Sequence, residues 1–319
     1  MVARRRIRRI TLRVVQSVAV GIVLALAASG ALNTAFLVQH AGAVDLPAVS
    51  PRRPVATLRA LLGSRTWLVG LALGCVGWAL HVGALARAPL SLVQAFISGG
   101  LAVTLPVAAV ALGHRLRARE LHAIALTALA LVLLSLGLHG GRHATAAPGA
   151  LAAATAGLAA VALALALGVR DERRPVALGL AGGLLYGTAD MAIKALTGVA
   201  SGSGAAEVLS SRWLVVAIVA TAAAFFAFQR ALQSHRPVVV IALMTAATNV
   251  SAIVGGLVVF GDPLGATPVL VAAHLAAFAL VAGAAWRLAP AQAGLVVEPQ
   301  PHRRRIRAPT GSAPGRQAS

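Results

Sequence analysis

Acidic side chains are nearly missing from this chain: eight Asp and Glu stand against 28 Lys and Arg, giving a formal net charge of +20. Lysine is rarer still, since Lys194 alone is lysine and the other 27 basic residues are arginine. Without a lysine at the end of a glycine-rich loop there is no Walker-type phosphate cradle, so transport or chemistry driven by ATP would need another subunit. A single cysteine, Cys75, excludes an intramolecular disulfide and any cysteine-based zinc cluster. No metal-ligand cluster, no motif-supported nucleophile and no close pair of carboxylates inside an apolar run is present, so the residues offer neither an enzyme's constellation nor a cofactor site.

The chain also lacks the polar surface a soluble fold requires. Charged residues make up 11%, against about 25% in soluble domains. Hydrophobic residues reach 59%, and the mean hydropathy is +0.85. The strongly basic balance does not point to nucleic acid. The arginines fall in tails and in the breaks between apolar runs, where they carry topology information and attract anionic lipid. Apolar runs long enough to cross the hydrocarbon core as helices recur along the sequence, without the short alternating segments of a transmembrane β-barrel. The expected architecture is an all-α polytopic membrane protein embedded in the plasma or inner membrane.

Nine spans are read from the pattern, over residues 14–41, 66–86, 89–112, 121–139, 149–169, 175–199, 212–231, 237–260 and 266–286. A basic N-terminal tail (1–13) precedes them, and a disordered basic tail (289–319), rich in Pro, Arg, Gln and Ser, follows. Residues 42–65 read as a loop. The basic tail, apolar run and small residues Ala28-Ser29-Gly30-Ala31 also resemble a secretory signal peptide, but the segment has an internal counterpart, which argues for a span. Loops 42–65, 113–120, 170–174 and 230–236 hold 4, 3, 3 and 2 arginines, while the alternate loops hold only Arg87, Arg142 and Arg212. The positive-inside rule puts the first set, and the C-terminus, in the cytoplasm. Nine spans then place the N-terminus outside, in conflict with its six arginines unless a tenth crossing exists, the tail is translocated or translation starts later, near Val14. Trp67, Trp213 and Trp286 stand near arginines, as interfacial anchors do.

The chain repeats itself. Pro89 and Gly113 are 24 residues apart, and so are Pro237 and Gly261. Leu116 and Leu264 keep the same offset, and Asn33-Thr34-Ala35 aligns with Gly187-Thr188-Ala189, setting His40 opposite Lys194. Spans 1–4 (14–139) thus echo spans 6–9 (175–288), with span five (149–169) as connector. In the nine-span frame the halves enter the membrane from opposite sides, the arrangement of an inverted repeat that builds two alternative gates around one site.

Ala84-Leu85, Ala88-Pro89, the small and polar run 94–106 and Leu112-Gly113-His114-Arg115-Leu116 carry a resemblance, together with Ala231-Leu232, Pro237 and Phe260-Gly261-Asp262-Pro263-Leu264. With these the chain resembles the drug/metabolite transporter superfamily, in its EamA-like repeat, over about residues 14–288. The nine-span layout with Gly187 and Lys194 in span six also resembles the NIPA-type magnesium transporter branch. His114 and Asp262 stand where the family usually has a glutamate, and the usual ten spans are one short. The resemblance implies movement of a metabolite or cation without naming it.

Ionisable groups inside spans are costly and each needs a reason. Asp190 and Lys194 lie four apart on one face of span six. They read either as a substrate or proton site or as a structural pair with Lys194 snorkelling outward. His81 and His274 read as interhelical hydrogen-bonding residues or as proton relays. Gln94 and Ser98 share a face of span three, Thr245, Thr248 and Asn249 cluster on span eight, and with Asn33 they form a candidate midplane pocket. Gly179, Gly183 and Gly187, like Gly70 and Gly74, form G-x-x-x-G stripes suited to close helix contact. A lysine beside the lone in-span carboxylate disfavours Mg²⁺. The expectation is a secondary transporter of a small organic or zwitterionic solute, with proton coupling and a homodimer both open to it. The alternatives are a NIPA-like magnesium or cation transporter and a non-transporting membrane scaffold.

Overall fold

A computed structural model describes residues 2–50, 52–100, 102, 106, 117–135, 146–233 and 237–297. Among the described residues every regular element is helical. The helices are α1 (Val2–Ala43), α2 (Pro54–Leu62), α3 (Arg65–Leu85), α4 (Leu90–Gly99), α5 (Ala118–Ser135) and α6 (Pro148–Gly168). They continue with α7 (Arg174–Ser203), α8 (Ala205–Ser210), α9 (Arg212–Leu232), α10 (Pro237–Val258) and α11 (Pro268–Val297).

Six of these, within α1, α3, α6, α7, α9 and α10, are long and apolar enough to cross a bilayer. Three shorter apolar helices occupy Leu90–Gly99, Leu121–Leu134 and Pro268–Val281. Local chemistry sets the helix ends. Ser64 and Ser211 accept the N–H groups of Trp67 and Trp213 and so cap α3 and α9. Pro54, Pro148 and Pro175 occupy first turns, where a missing N–H costs nothing. Gly204, at φ 93°, stops α7.

The hairpin of α1 and α3 is antiparallel: Gly42 meets Trp67, Gly70 meets Gln39, Gly77 meets Leu32 and Gly21 meets Ala88. In the second half α7 packs on α9 and α10. Its stripe Gly179, Gly183 and Gly187 lies against Val240, Met244 and Ser251 of α10, so the G-x-x-x-G contacts are made within the chain. Helix α4 packs on α1 and α10, α5 packs on α11, and α6 packs on α7. Helix α7 is central, with 72% of its most apolar stretch buried, whereas α6 is peripheral at 17%. Leu163 and Leu167 of α6, and Val69 and Val76 of α3, are exposed; apolar surface of this kind is stable against lipid tails.

Several expectations change. The stretch 42–65 is not all loop, because α2 forms within it. Helix α11 continues to Val297, past the Ala289 where disorder was expected, although Pro290 and Gly294 are poor helix formers. Trp67 is no interfacial anchor: it is buried among Ala43, Val49 and Leu61, because α2 and the strap before it fold over its ring. Trp213 does sit at a helix start, with the Arg212 guanidinium 5.0 Å from its ring centre. His114, the end of span three and the tail beyond Val297 lie outside the described residues.

Candidate functional site

Polar side chains from α1, α3, α4, α7, α9 and α10 converge on one cavity of ≈ 270 Å³. Of the sequence-nominated residues, Asn33, His81, Gln94, Asp190, Thr245, Thr248 and Asn249 line it. Gln94 is the hub. Its amide donates to Asp190 Oδ2 at 2.7 Å, and its Nε2 stands 3.1 Å from His81 Nε2, which accepts in the tautomer carrying its proton on Nδ1. His81 Nε2 is 3.9 Å from Asp190 Oδ1. All three side chains are buried, and they join α3, α4 and α7. Asn33 is held by the carbonyl and hydroxyl of Ser29, one turn back, and Ser29 in turn donates to Ile97 O of α4.

Three nominated residues, Ser98, Lys194 and His274, lie elsewhere. Ser98 is buried but outside the cavity lining. Helix α4 is buried on every side from Leu90 to Gly99, so sharing a face with Gln94 does not put Ser98 at the cavity. Lys194 does not pair with Asp190. Its ammonium donates to the carbonyls of Leu85 and Ala88, both at 2.8 Å, in the turn between α3 and α4. The long stem reaches those unsatisfied helix-end carbonyls, which suit a cation.

The same turn is held from its other side. Asp262, in the loop after α10, accepts the Ser91 N–H at 2.7 Å, at the first turn of α4. Burial raises the Asp262 carboxyl above the ordinary carboxylate range, opposed by the hydrogen bonds from Ser91 and Leu90 and by the charge of Lys194. Asp262 is therefore a loop residue bound to backbone. His274 likewise serves packing, with Nδ1 2.7 Å from Leu264 O, in the loop that precedes its helix.

At the far end of the cavity Gln229 donates to Gln39 Oε1 at 2.6 Å, and Gln39 donates to Gly70 O at 3.3 Å. Just beyond, His40 Nδ1 is 3.0 Å from Leu232 O, at the end of α9. Gln233 accepts the Val49 N–H at 2.7 Å and donates to Pro47 O at 3.1 Å. The span-seven glutamine was missed in sequence, although a polar Gln229 in an apolar run is the signal that finds it.

The aromatic side chains nominated in sequence, Trp67, Trp213 and Trp286, are not among those at the cavity. Of twelve in the chain, Phe36, Trp78, Tyr186, Phe225 and Phe228 line this cavity. Thr245 Oγ1, Asn249 Nδ2 and Gln229 Oε1 are buried without a hydrogen-bond partner, unlike Thr188 and Thr248, which bond back to the carbonyls one turn earlier. Unpaired buried polar atoms are rare in folded proteins. No family model, curated protein or solved structure matches this chain.

Proposed function

We propose that the chain is a secondary transporter of a small organic solute, working by alternating access between two inverted EamA-like halves, spans 1–4 and 6–9. One observation carries the reading: a single cavity takes Asn33, His81 and Gln94 from the first half and Asp190, Thr245 and Asn249 from the second. A scaffold has no need to bring scarce in-span polar groups from both halves to one space.

Packing supports the repeat. The pairing of α1 with α3 is matched by that of α7 with α9, and α4 meets α10 as α5 meets α11, leaving α6 as connector. Six long apolar helices, and three shorter ones too short by themselves to be counted as crossings, overlap the stretches read as the nine spans, which supports that frame. Asp190 and His81 are the titratable pair that the cavity offers for proton coupling.

Thermal stabilisation of the purified protein by amino acids, nucleosides, polyamines and Mg²⁺, beside Asp190→Asn, tests the reading. The proposal expects at least one organic solute to stabilise the wild type and not the variant. Stabilisation by Mg²⁺ alone would favour the magnesium reading, and indifference to every solute would favour the scaffold.

A further inference from the structure

The cavity has one acidic side chain, Asp190, and an unusually aromatic wall. Asp190 receives the Gln94 amide and faces His81, while the lysine four residues on is committed to the carbonyls of Leu85 and Ala88. No lysine or arginine lines the space, so among the described residues nothing with a permanent positive charge stands against that carboxylate. A buried carboxylate without a fixed cation is expensive. The solute is the group that can balance it.

The remaining wall is hydrocarbon and ring. Five aromatic side chains out of twelve gather here in a chain whose aromatic content is 4%, and Phe36 and Phe228 pack edge to face at 5.2 Å. Aromatic faces attract a cation as well as an apolar body. The cavity also adjoins a second space. This space, of ≈ 590 Å³ between α3, α7 and α9, is lined almost wholly by apolar side chains. It shares Trp78, Ile193, Thr221 and Phe225 with the first. Polar chemistry at one end and an apolar groove at the other describe a solute with the same division.

Resting on the transporter reading, we propose that the solute is an amphiphilic amine: a monocation whose ammonium group sits at Asp190 and whose hydrocarbon body lies along Trp78 and Phe225 into the lateral groove. Charge selects the head, since a carboxylate would be repelled by Asp190 and an alcohol would leave its charge unbalanced. The groove selects the tail, since each methylene moved out of water adds affinity.

Binding of four radiolabelled probes to the protein in lipid nanodiscs, with empty nanodiscs subtracted, tests this. The probes are 4-phenylbutylamine, 4-phenylbutan-1-ol, 4-phenylbutanoate and n-butylamine. The proposal expects 4-phenylbutylamine to bind at least about tenfold more tightly than each of the others. It also expects Asp190→Asn to abolish the preference for amine over alcohol, and Trp78→Ala to weaken 4-phenylbutylamine several-fold while changing n-butylamine little. Equal binding of amine, alcohol and carboxylate by the wild type would overturn it, as would failure of all four to bind; the wild-type ranking stands as a test even if a variant does not fold. Preference for the alcohol or the carboxylate removes the amine and leaves transport intact. The transport reading itself falls by a different measurement, the accessibility of Cys75, which uses no solute.

Discussion

Lys194 donates to the backbone carbonyl of Leu85, the last residue of α3, at 2.8 Å. The repeat aligns Lys194 with His40 and Ala84-Leu85 with Ala231-Leu232, and His40 Nδ1 is 3.0 Å from the carbonyl of Leu232, the last residue of α9. The aligned positions therefore make corresponding contacts, from α7 to the end of α3 and from α1 to the end of α9. Ala88 lies against Gly21 of α1, so about 19 residues of α1, or about 28 Å, separate the levels of the two contacts. That is close to the thickness of the hydrocarbon core. Under the transport proposal the two contacts would serve as latches on opposite sides of the cavity.

Close helix contact in the second half depends on Gly183. A Cβ there would meet the carbonyl of Met244 and the side chain of Ala247, neither of which can swing aside. Gly183→Ala is expected to cost about 1–3 kcal/mol and to lower the thermal midpoint. Gly198→Ala on the same helix meets open space and is expected to leave stability unchanged or raise it by up to about 1 kcal/mol. Equal midpoints for the two variants would contradict the tight α7–α10 contact.

Thr245 and Thr248 are neighbours with opposite expectations. Thr248 Oγ1 donates to Met244 O at 2.9 Å and lies 3.1 Å from Gly183 O, so Thr248→Val should lose about 1 kcal/mol. Thr245 Oγ1 has no partner to lose, so Thr245→Val should be neutral or slightly stabilising while weakening solute binding. Unfolding and binding measured on both variants check this. A Thr245→Val protein that is destabilised yet binds normally would assign the hydroxyl to packing.

Asp262 gives the account a pH signature. Its folded-state pKa is raised, mainly by burial. The stability it contributes is therefore fully present below the unfolded value of about 3.9 and is lost as pH climbs through the folded value. Asp262→Asn keeps an acceptor for the Ser91 N–H without this titration. Relative to the variant, the wild type should lose thermal stability as pH rises above the unfolded value of about 3.9. Parallel curves would show that the carboxyl is not raised.

Much of the cavity is legible because polar groups are conspicuous in apolar spans: Asn33, His81, Gln94, Asp190, Thr245, Thr248 and Asn249 all line it. Where the reading failed, side-chain reach and tertiary cover were decisive. Spacing set Lys194 beside Asp190 on α7, but four methylenes let its ammonium choose the carbonyls at the end of α3. Trp67 looked interfacial beside Arg65 until α2 folded over it. The aromatic wall is composed from α1, α3, α7 and α9, and no local pattern announces residues that meet only across four helices.

The most direct test of alternating access uses Cys75, the chain's single cysteine, which lines the cavity. Its modification by a membrane-impermeant thiol reagent is followed from each face of oriented vesicles, for wild type, Lys194→Met and His40→Ala. Removing the charge-assisted bonds of Lys194, typically about 1.5–3 kcal/mol each, should speed modification from the Lys194 face by about tenfold or more and slow it from the other. His40→Ala should do the reverse. Rates that change equally from both faces, or not at all, would contradict two alternating gates.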